Sequence, residues 1–421
     1  LPETEETSSV SDAARNAFSL PAFFTGPQDE AAVVIVRNRI AIVGFIATAV
    51  AFGPGRMAYG LFLPQLREEF SFGAGVAGGI ASFAFASFFL ALFLTGWLTS
   101  RFGPRLPVLL GGCVATMGFA LTAYSSDLIV MSLGVAMASG SAGFAWTPFN
   151  AMAEHAVADR YEKRVLSIVS TGTTFGIVAA GLLALGVAAL GQSWRMAWWA
   201  FAPIGLCAVI APIILLSKRD GFDRPSPVDL RKVLRRVSTR AAVPLYGFAF
   251  SFGATNGTYL SYWIEHVTEA GGLAGLSSNL TGPVLFLAFG LAGSLGLLTG
   301  DVEKKVGLRA LLLGLFASSG VSLLLLAYLP HSWVGAIVSA ALQGICLMAL
   351  SATYSFWSER LFPDIATTGF TAVLMVYALG NVVAPPLAGL VNSGLGLGNT
   401  IALFGLLSFA SLFMVRSVEE I

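Results

Sequence analysis

"GWLTSRFGPR" at residues 96–105 and "GDVEKKVGLR" at 300–309 decide how this chain folds. Each is a short charged turn set between long apolar runs. They share Gly-x4-(Arg/Lys)-x-Gly-x-Arg at an offset of 204 residues. A second pair, "FGPGRMAY" at 52–59 and "FGATNGTY" at 252–259, shares Phe-Gly-x5-Tyr at an offset of 200. A third, "TFGIVAAG" at 174–181 and "ALGNVVAP" at 378–385, sets Gly176 against Gly380, again 204 apart. One such match carries little weight. Three in order, at nearly one offset, mark an internal duplication.

What is duplicated is a set of membrane spans. The 421 residues are 56% hydrophobic and only 11% charged, with a mean hydropathy of +0.79. Soluble domains carry about 25% charge, so the composition is that of an integral membrane protein. Crossing a bilayer takes about 20 apolar residues. The apolar runs give twelve predicted helices: 40–66, 75–98, 106–125, 128–152, 165–190, 196–216, 241–264, 279–299, 309–329, 333–356, 366–391 and 396–415. None alternates with period two over strand length, which excludes a membrane β-barrel. The predicted fold is therefore all-α, with twelve transmembrane helices in two pseudo-symmetric six-helix bundles. The expected organisation is a polar flexible tail over 1–37, a first bundle over 38–216, a basic linker over 217–240, a second bundle over 241–416 and a tail over 417–421.

Lys and Arg orient it. Arg15, Arg37, Arg39, Arg101, Arg105, Arg160, Lys163, Arg164, the linker, Lys304, Lys305, Arg309, Arg360 and Arg416 fall on one side. The opposite loops hold only Arg67 and Arg195. The basic side is predicted to be cytoplasmic, with both termini there. The linker "SKRDGFDRPSPVDLRKVLRRVSTR" is expected to touch anionic lipid headgroups rather than nucleic acid. A net charge of +1 offers no bulk field for a polyanion. Cys113, Cys207 and Cys346 sit in apolar stretches without metal-type spacing.

The 96–105 turn resembles the signature loop of the major facilitator superfamily, Gly-x-Leu-x-Asp-Arg-x-Gly-Arg-Arg. Gly96, Leu98, Arg101, Gly103 and Arg105 match it. Ser100 stands at the usual Asp, and Pro104 at a usual basic position. The resemblance covers residues 38–416 and implies a rocker-switch transporter with its substrate site between the bundles. It implies a gating role for Gly96, Ser100, Arg101, Gly103 and Arg105, and for Gly300, Gly307 and Arg309 in the second half. In the family the Asp helps latch the cytoplasmic gate, so Ser100 puts the strength of that latch in question. "GPGRMAYGLFLP" and "ALGNVVAPPLAG" look most like the YbfB/YjiJ-type transporters of the superfamily.

Arg56 lies in the first run, directly after Gly-Pro-Gly. It is roughly 24 Å along a helix that starts near residue 40. Pro54 lacks an N–H, so a kink or break is predicted. An arginine at that depth costs about 2.5–3.5 kcal/mol on insertion scales. Three arrangements accommodate it: snorkelling to the outer interface, pairing with an acid such as Glu265 or Glu269, or facing a central cavity to meet an anionic substrate. No acidic residue falls mid-span, which favours the third. Phe52 and Tyr59 share its helical face. Asn256 and Tyr259, with Phe252, occupy the matching face of the second half. Gln343, Tyr377 and Asn381 are further mid-span polar residues. Each of these could instead bond or pack against a neighbouring helix, the commoner use.

The expected activity is secondary transport of a small organic anion, of carboxylate type, by alternating access. A proton-coupled drug or metabolite exporter is the alternative within the class. A non-transporting sensor or assembly factor on the same fold is the alternative outside it. No mid-span Asp, Glu or His marks a proton relay. Neither a nucleophile–base pair nor a metal-ligand cluster is apparent. The expected state is a monomer in a bacterial cytoplasmic membrane, partnered by lipid and substrate, with no cofactor and no enzymatic activity.

Overall fold

The computed structural model describes residues 27–216 and 235–418. The first half holds α1 (Pro27–Val50), a π-helical turn (Ala51–Arg56), α2 (Met57–Phe70), α3 (Ala74–Phe102), α4 (Arg105–Tyr124), α5 (Leu128–Gly140), α6 (Thr147–Ala156), α7 (Asp159–Ala189) and α8 (Trp194–Leu215). The second holds α9 (Val243–Glu269), α10 (Ser278–Gly293), α11 (Thr299–Tyr328), α12 (Trp333–Leu361), α13 (Ala366–Leu395) and α14 (Leu397–Ala410). Among the described residues, ten stretches are long and apolar enough to cross a membrane. One of them, Ser278–Tyr328, is 51 residues long and contains two of the predicted runs. Gly307, with φ 81°, bends the chain between them. The predicted run 241–264 lies within α9. Its Ser, Thr, Asn and Tyr residues hold its hydropathy down, and it is buried along most of its length.

Three expectations need adjusting. The tail was drawn to residue 37, but α1 already begins at Pro27. The linker lies mostly outside the described residues. Val418, assigned to the C-terminal tail, is buried, and its carbonyl accepts from Arg309 Nε at 2.6 Å.

The duplication is visible in the packing. A Cβ on Gly53 would meet the Gly176 carbonyl oxygen at 2.3 Å, and one on Gly253 would meet the Tyr377 carbonyl oxygen at 2.1 Å and the Gly380 Cα at 3.2 Å. Both contacts join the first span of a bundle to its helix-packing partner, through the glycines that the repeats align. Only glycine allows backbones this close. Gly103 and Gly307 turn the chain with φ of 82° and 81° in the two matching loops.

Helix faces turned away from the interior expose large apolar side chains such as Leu90, Ile214, Val334 and Phe413, as expected of a lipid-facing surface. Between the bundles, contact is closest on the face opposite the basic loops, called the far face below. Arg67 on α2 pairs with Glu265 and, at 3.0 Å, with Glu269 on α9. The Tyr262 hydroxyl lies 3.0 Å from the carbonyls of both Ala74 and Pro385. Ser82 on α3 donates to the Val382 carbonyl on α13 at 2.7 Å. That carbonyl is free because Pro386, four residues on, has no N–H to offer it. A proline in one bundle thus creates the acceptor that the other bundle uses.

Gly60 and Leu260, equivalent positions in the repeat, meet on this seam. A Cβ at position 60 would lie 1.9 Å from the Leu260 carbonyl oxygen. Gly60→Val is expected to prop the far face open. Transport should fall by at least about tenfold, while a cysteine placed along the seam gains reactivity toward a membrane-impermeant thiol reagent added on the far side.

Candidate functional site

The Gly-Pro-Gly run builds a wide turn rather than a clean break. Residues Ala51–Arg56 form a single π-helical turn, closed by the Met57 N–H donating to the Gly53 carbonyl. Such turns absorb an extra residue and are frequent at functional sites. Pro54 fits because the turn has already left the α-helical bonding pattern. The turn swings Arg56 into the interior, where the residue is only 6% exposed.

Two of the three arrangements open to Arg56 are removed by its surroundings. At 6% exposure it does not snorkel. Glu265 and Glu269 grip Arg67 instead, about three helical turns further on. What Arg56 does meet is rings. Its Cζ lies 4.1 Å from the Phe88 centroid, 5.3 Å from Tyr377, 5.6 Å from Phe85 and 5.9 Å from Phe52. Such contacts contribute about 0.5–2 kcal/mol each, enough to offset part of the burial. Rings offer the cation no lone pair to accept its N–H groups. Nε and Nη2 are buried without a hydrogen-bond partner. An unmade bond of this kind costs about 1–3 kcal/mol. These two nitrogens form one edge of the guanidinium, the edge that matches the two oxygens of a carboxylate.

Arg56 lines a cavity on the basic side of the seam, about 710 Å³ including its open mouth. Phe52 and Phe252, equivalent in the repeat, face it from the two bundles. Tyr377 and Leu374 of α13 and Met348, Ser351 and Tyr354 of α12 complete the second-bundle wall. Phe88, Trp146 and Thr173 stand on the first-bundle wall. Chain order places the opening. The lining residues of α3, α12 and α13 lie toward the basic loops, whereas Ser82, Val382 and Pro385 on the seam lie toward the far face.

Of the residues singled out in the sequence, Arg56, Phe52, Phe252 and Tyr377 come together at the cavity. The others do not line the cavity. Tyr59 lies beyond the π-turn, where the bundles close, and its hydroxyl donates to the Ala77 carbonyl at 2.9 Å. Tyr259 is turned into its own bundle, 3.2 Å from Ser339 Oγ. Gln343 Oε1 accepts from Ser319 at 3.3 Å, and Asn381 Nδ2 donates to the Tyr377 carbonyl at 2.8 Å. Asn256 sits behind Tyr377 and accepts its hydroxyl at 2.8 Å. It holds the ring that lies over Arg56, so positions 56 and 256 meet through one tyrosine. Ser351, Tyr354 and Phe88 were missed because nothing in their own stretches distinguishes them from packing residues. Thr173 and Trp146 are polar side chains within apolar runs, a type that more often bonds a neighbouring helix.

The loop residues form local bonds. Ser100 Oγ donates to the Trp97 carbonyl at 2.8 Å, and Arg101 is exposed beside Phe102. Arg105 donates to the Ile213 carbonyl at 3.3 Å. Gly96 and Gly300 lie near the ends of helical stretches on either side of the repeat. In the second half Glu303 and Arg360 pair at 2.8 Å, tying α11 to α12 within one bundle. Among the described residues no group of three or more His, Cys, Asp or Glu side chains could hold a metal ion.

Two helical bundles meeting at a closed seam, with a cavity open toward the other side, are the architecture of a secondary transporter. A sequence model of the Major Facilitator Superfamily matches residues 40–315, and the chain belongs to that family. It is a multi-pass membrane transporter rather than an enzyme. Human monocarboxylate transporter 11 is 27% identical over 378 residues, 84% of this chain and 78% of that protein. The Pseudomonas aeruginosa transcription regulatory protein OpdE is 25% identical over 389 residues, 90% of this chain and 93% of that protein. A crystal structure of a mutant of the nucleoside transporter NupG superposes with a TM-score of 0.73 at 11% identity, covering 91% of this chain and 99% of that one. At that identity the likeness speaks for the fold.

The Tyr377–Asn256 bond is testable alone. Tyr377→Phe leaves Asn256 Oδ1 unpaired in the core and should cost about 1–3 kcal/mol of stability. A lowered thermal midpoint of the purified protein, absent in a Tyr377→Phe/Asn256→Leu double variant, is the expected result.

Proposed function

We propose that this transporter carries a small organic anion, of carboxylate type, which binds at Arg56 and crosses by rocking of the two bundles about the central cavity. The observation that carries the reading is the buried, unpartnered Nε–Nη2 edge of Arg56, set in a cavity wall that offers no acid to meet it. A carboxylate supplies two acceptors in the matching geometry. The likeness to a protein named as a monocarboxylate transporter lends support. Tyr377 belongs to the same site through its ring, and Asn256 through the bond that holds that ring. The expected gating elements are the 96–105 and 300–309 loops. The Arg/Lys asymmetry supports a cytoplasmic position for the basic face and both termini, in a bacterial inner membrane. The motifs around Arg56 and Asn381 support kinship with the YbfB/YjiJ-type transporters, and a monomer suffices to enclose the site.

Coupling follows from what the spans carry. The absence of a mid-span Asp, Glu or His fits an anion moving with its own proton, in exchange for another anion, or by uniport. In a proton-coupled exporter of organic cations, the one charged side chain of the cavity lining would repel the cargo.

Purified protein in proteoliposomes should take up labelled carboxylates. Arg56→Ala is expected to lower uptake by roughly 100-fold. Arg56→Lys should fall between, because an ammonium keeps the charge and loses the paired edge. Undiminished uptake by Arg56→Ala would overturn the reading, as would uptake of cationic dyes in preference to anions.

A further inference from the structure

The cavity's lining says more about the anion than its charge. Arg56 is the one charged residue among the lining side chains, so one negative group can be neutralised there. A second carboxylate would meet neutral side chains with no second cation, where an unpaired charge is heavily penalised. Two phenols of the lining are already engaged: Tyr354 donates to the Phe248 carbonyl at 3.0 Å, and Tyr377 donates to Asn256.

The apolar part of the lining is aromatic and ordered. Phe252 and Tyr377 are stacked, with centroids 5.9 Å apart and planes at 25°. Across from them Phe52 makes edge contacts with Phe88 at 6.5 Å and 75° and with Trp146 at 6.4 Å and 82°. A flat ring entering between the two walls continues both arrangements, which rings favour over random contact. Phe52 is near two donor-bearing side chains. Arg56 Cζ lies 5.9 Å from its centroid and the Trp146 ring 6.4 Å. Trp146 Nε1 is buried and has no hydrogen-bond partner.

From these observations we infer that the transported anion is a flat aryl monocarboxylate. Its carboxylate sits on the Nε–Nη2 edge of Arg56 and its ring lies between Phe52 and the Phe252–Tyr377 pair. A hydrogen-bond acceptor at the distal end of the ring meets Trp146 Nε1. The inference rests on the reading of Arg56 as the anion-holding group. It adds the shape of the body, the count of charges and a second polar contact.

Titration calorimetry on the purified full-length protein separates the two levels. Four probes suffice: benzoate, cyclohexanecarboxylate, terephthalate and 4-hydroxybenzoate. Benzoate should bind about fivefold tighter than cyclohexanecarboxylate, its non-planar counterpart. Terephthalate, with a second carboxylate, should bind at least about tenfold more weakly than benzoate. The 4-hydroxy compound should gain about fivefold over benzoate, and Trp146→Phe should bring that ratio to about one. Equal binding of benzoate and cyclohexanecarboxylate, preference for terephthalate, or an unchanged ratio in Trp146→Phe would each overturn the inference. If Arg56→Ala still abolished binding of every probe, the anion reading would survive that loss. Retention of benzoate binding by Arg56→Ala would sink both.

Discussion

A guanidinium buried among four aromatic rings, with no carboxylate to pair it, is the constraint around which the interior is arranged. The rings surround the cation of Arg56 and leave its Nε and Nη2 without an acceptor. A site that merely needed a stable core would replace such a charge with a leucine. Several other features are consistent with holding it in place. The π-turn aims it inward, Gly53 lets that turn press against Gly176, and Asn256 holds Tyr377 over it. Under the proposed function, the energy left unsatisfied at the edge is what an arriving anion relieves.

The seam and the cavity are two sides of one arrangement. On the far face the bundles are joined by an ion-pair cluster, a shared tyrosine hydroxyl and a serine-to-carbonyl bond. They lie beside an apolar cluster shared by the bundles, in which Leu61 and Phe62 join Trp263, Ile264 and Phe286. Polar bonds of this kind can be exchanged for water when the bundles part, whereas interdigitated apolar packing resists separation. The cavity lies beyond the seam toward the basic loops, so the structure represents the state closed on the far face. The Arg/Lys asymmetry makes that an inward-facing state under the proposed orientation.

Much of this was legible in the sequence, and the limits are physical. The fold was readable because two signals of long range in sequence, hydropathy and the 204-residue offset, survive without knowledge of contacts. The aligned glycines marked the repeat, and the structure shows that Gly53 packs on Gly176 and Gly253 beside Tyr377 and Gly380. Arg56 was readable because a charge in an apolar run needs a reason. Tyr59 and Tyr259 misled because a shared helical face was taken to mean a shared cavity. Three residues is nearly a full turn of rise, and here that turn crosses from the cavity into the seam. Gln343 and Asn381 misled for a different reason: a buried amide also bonds a neighbouring helix, as Gln343 does with Ser319, or its own backbone, as Asn381 does with Tyr377. Phe88, Ser351 and Tyr354 were invisible, because their roles come from spans brought near only by the fold.

The duplication did not leave the two halves equal. Arg56 and Asn256 descend from one position, yet one presents a cation and the other anchors the tyrosine above it. The Pro386–Val382–Ser82 contact shows a similar economy. Its acceptor is a main-chain oxygen, present whatever side chain stands at 382. Evolutionary drift at that position therefore leaves the inter-bundle fastening intact, while the imino acid at 386 and the hydroxyl at 82 are bound to persist or vanish together.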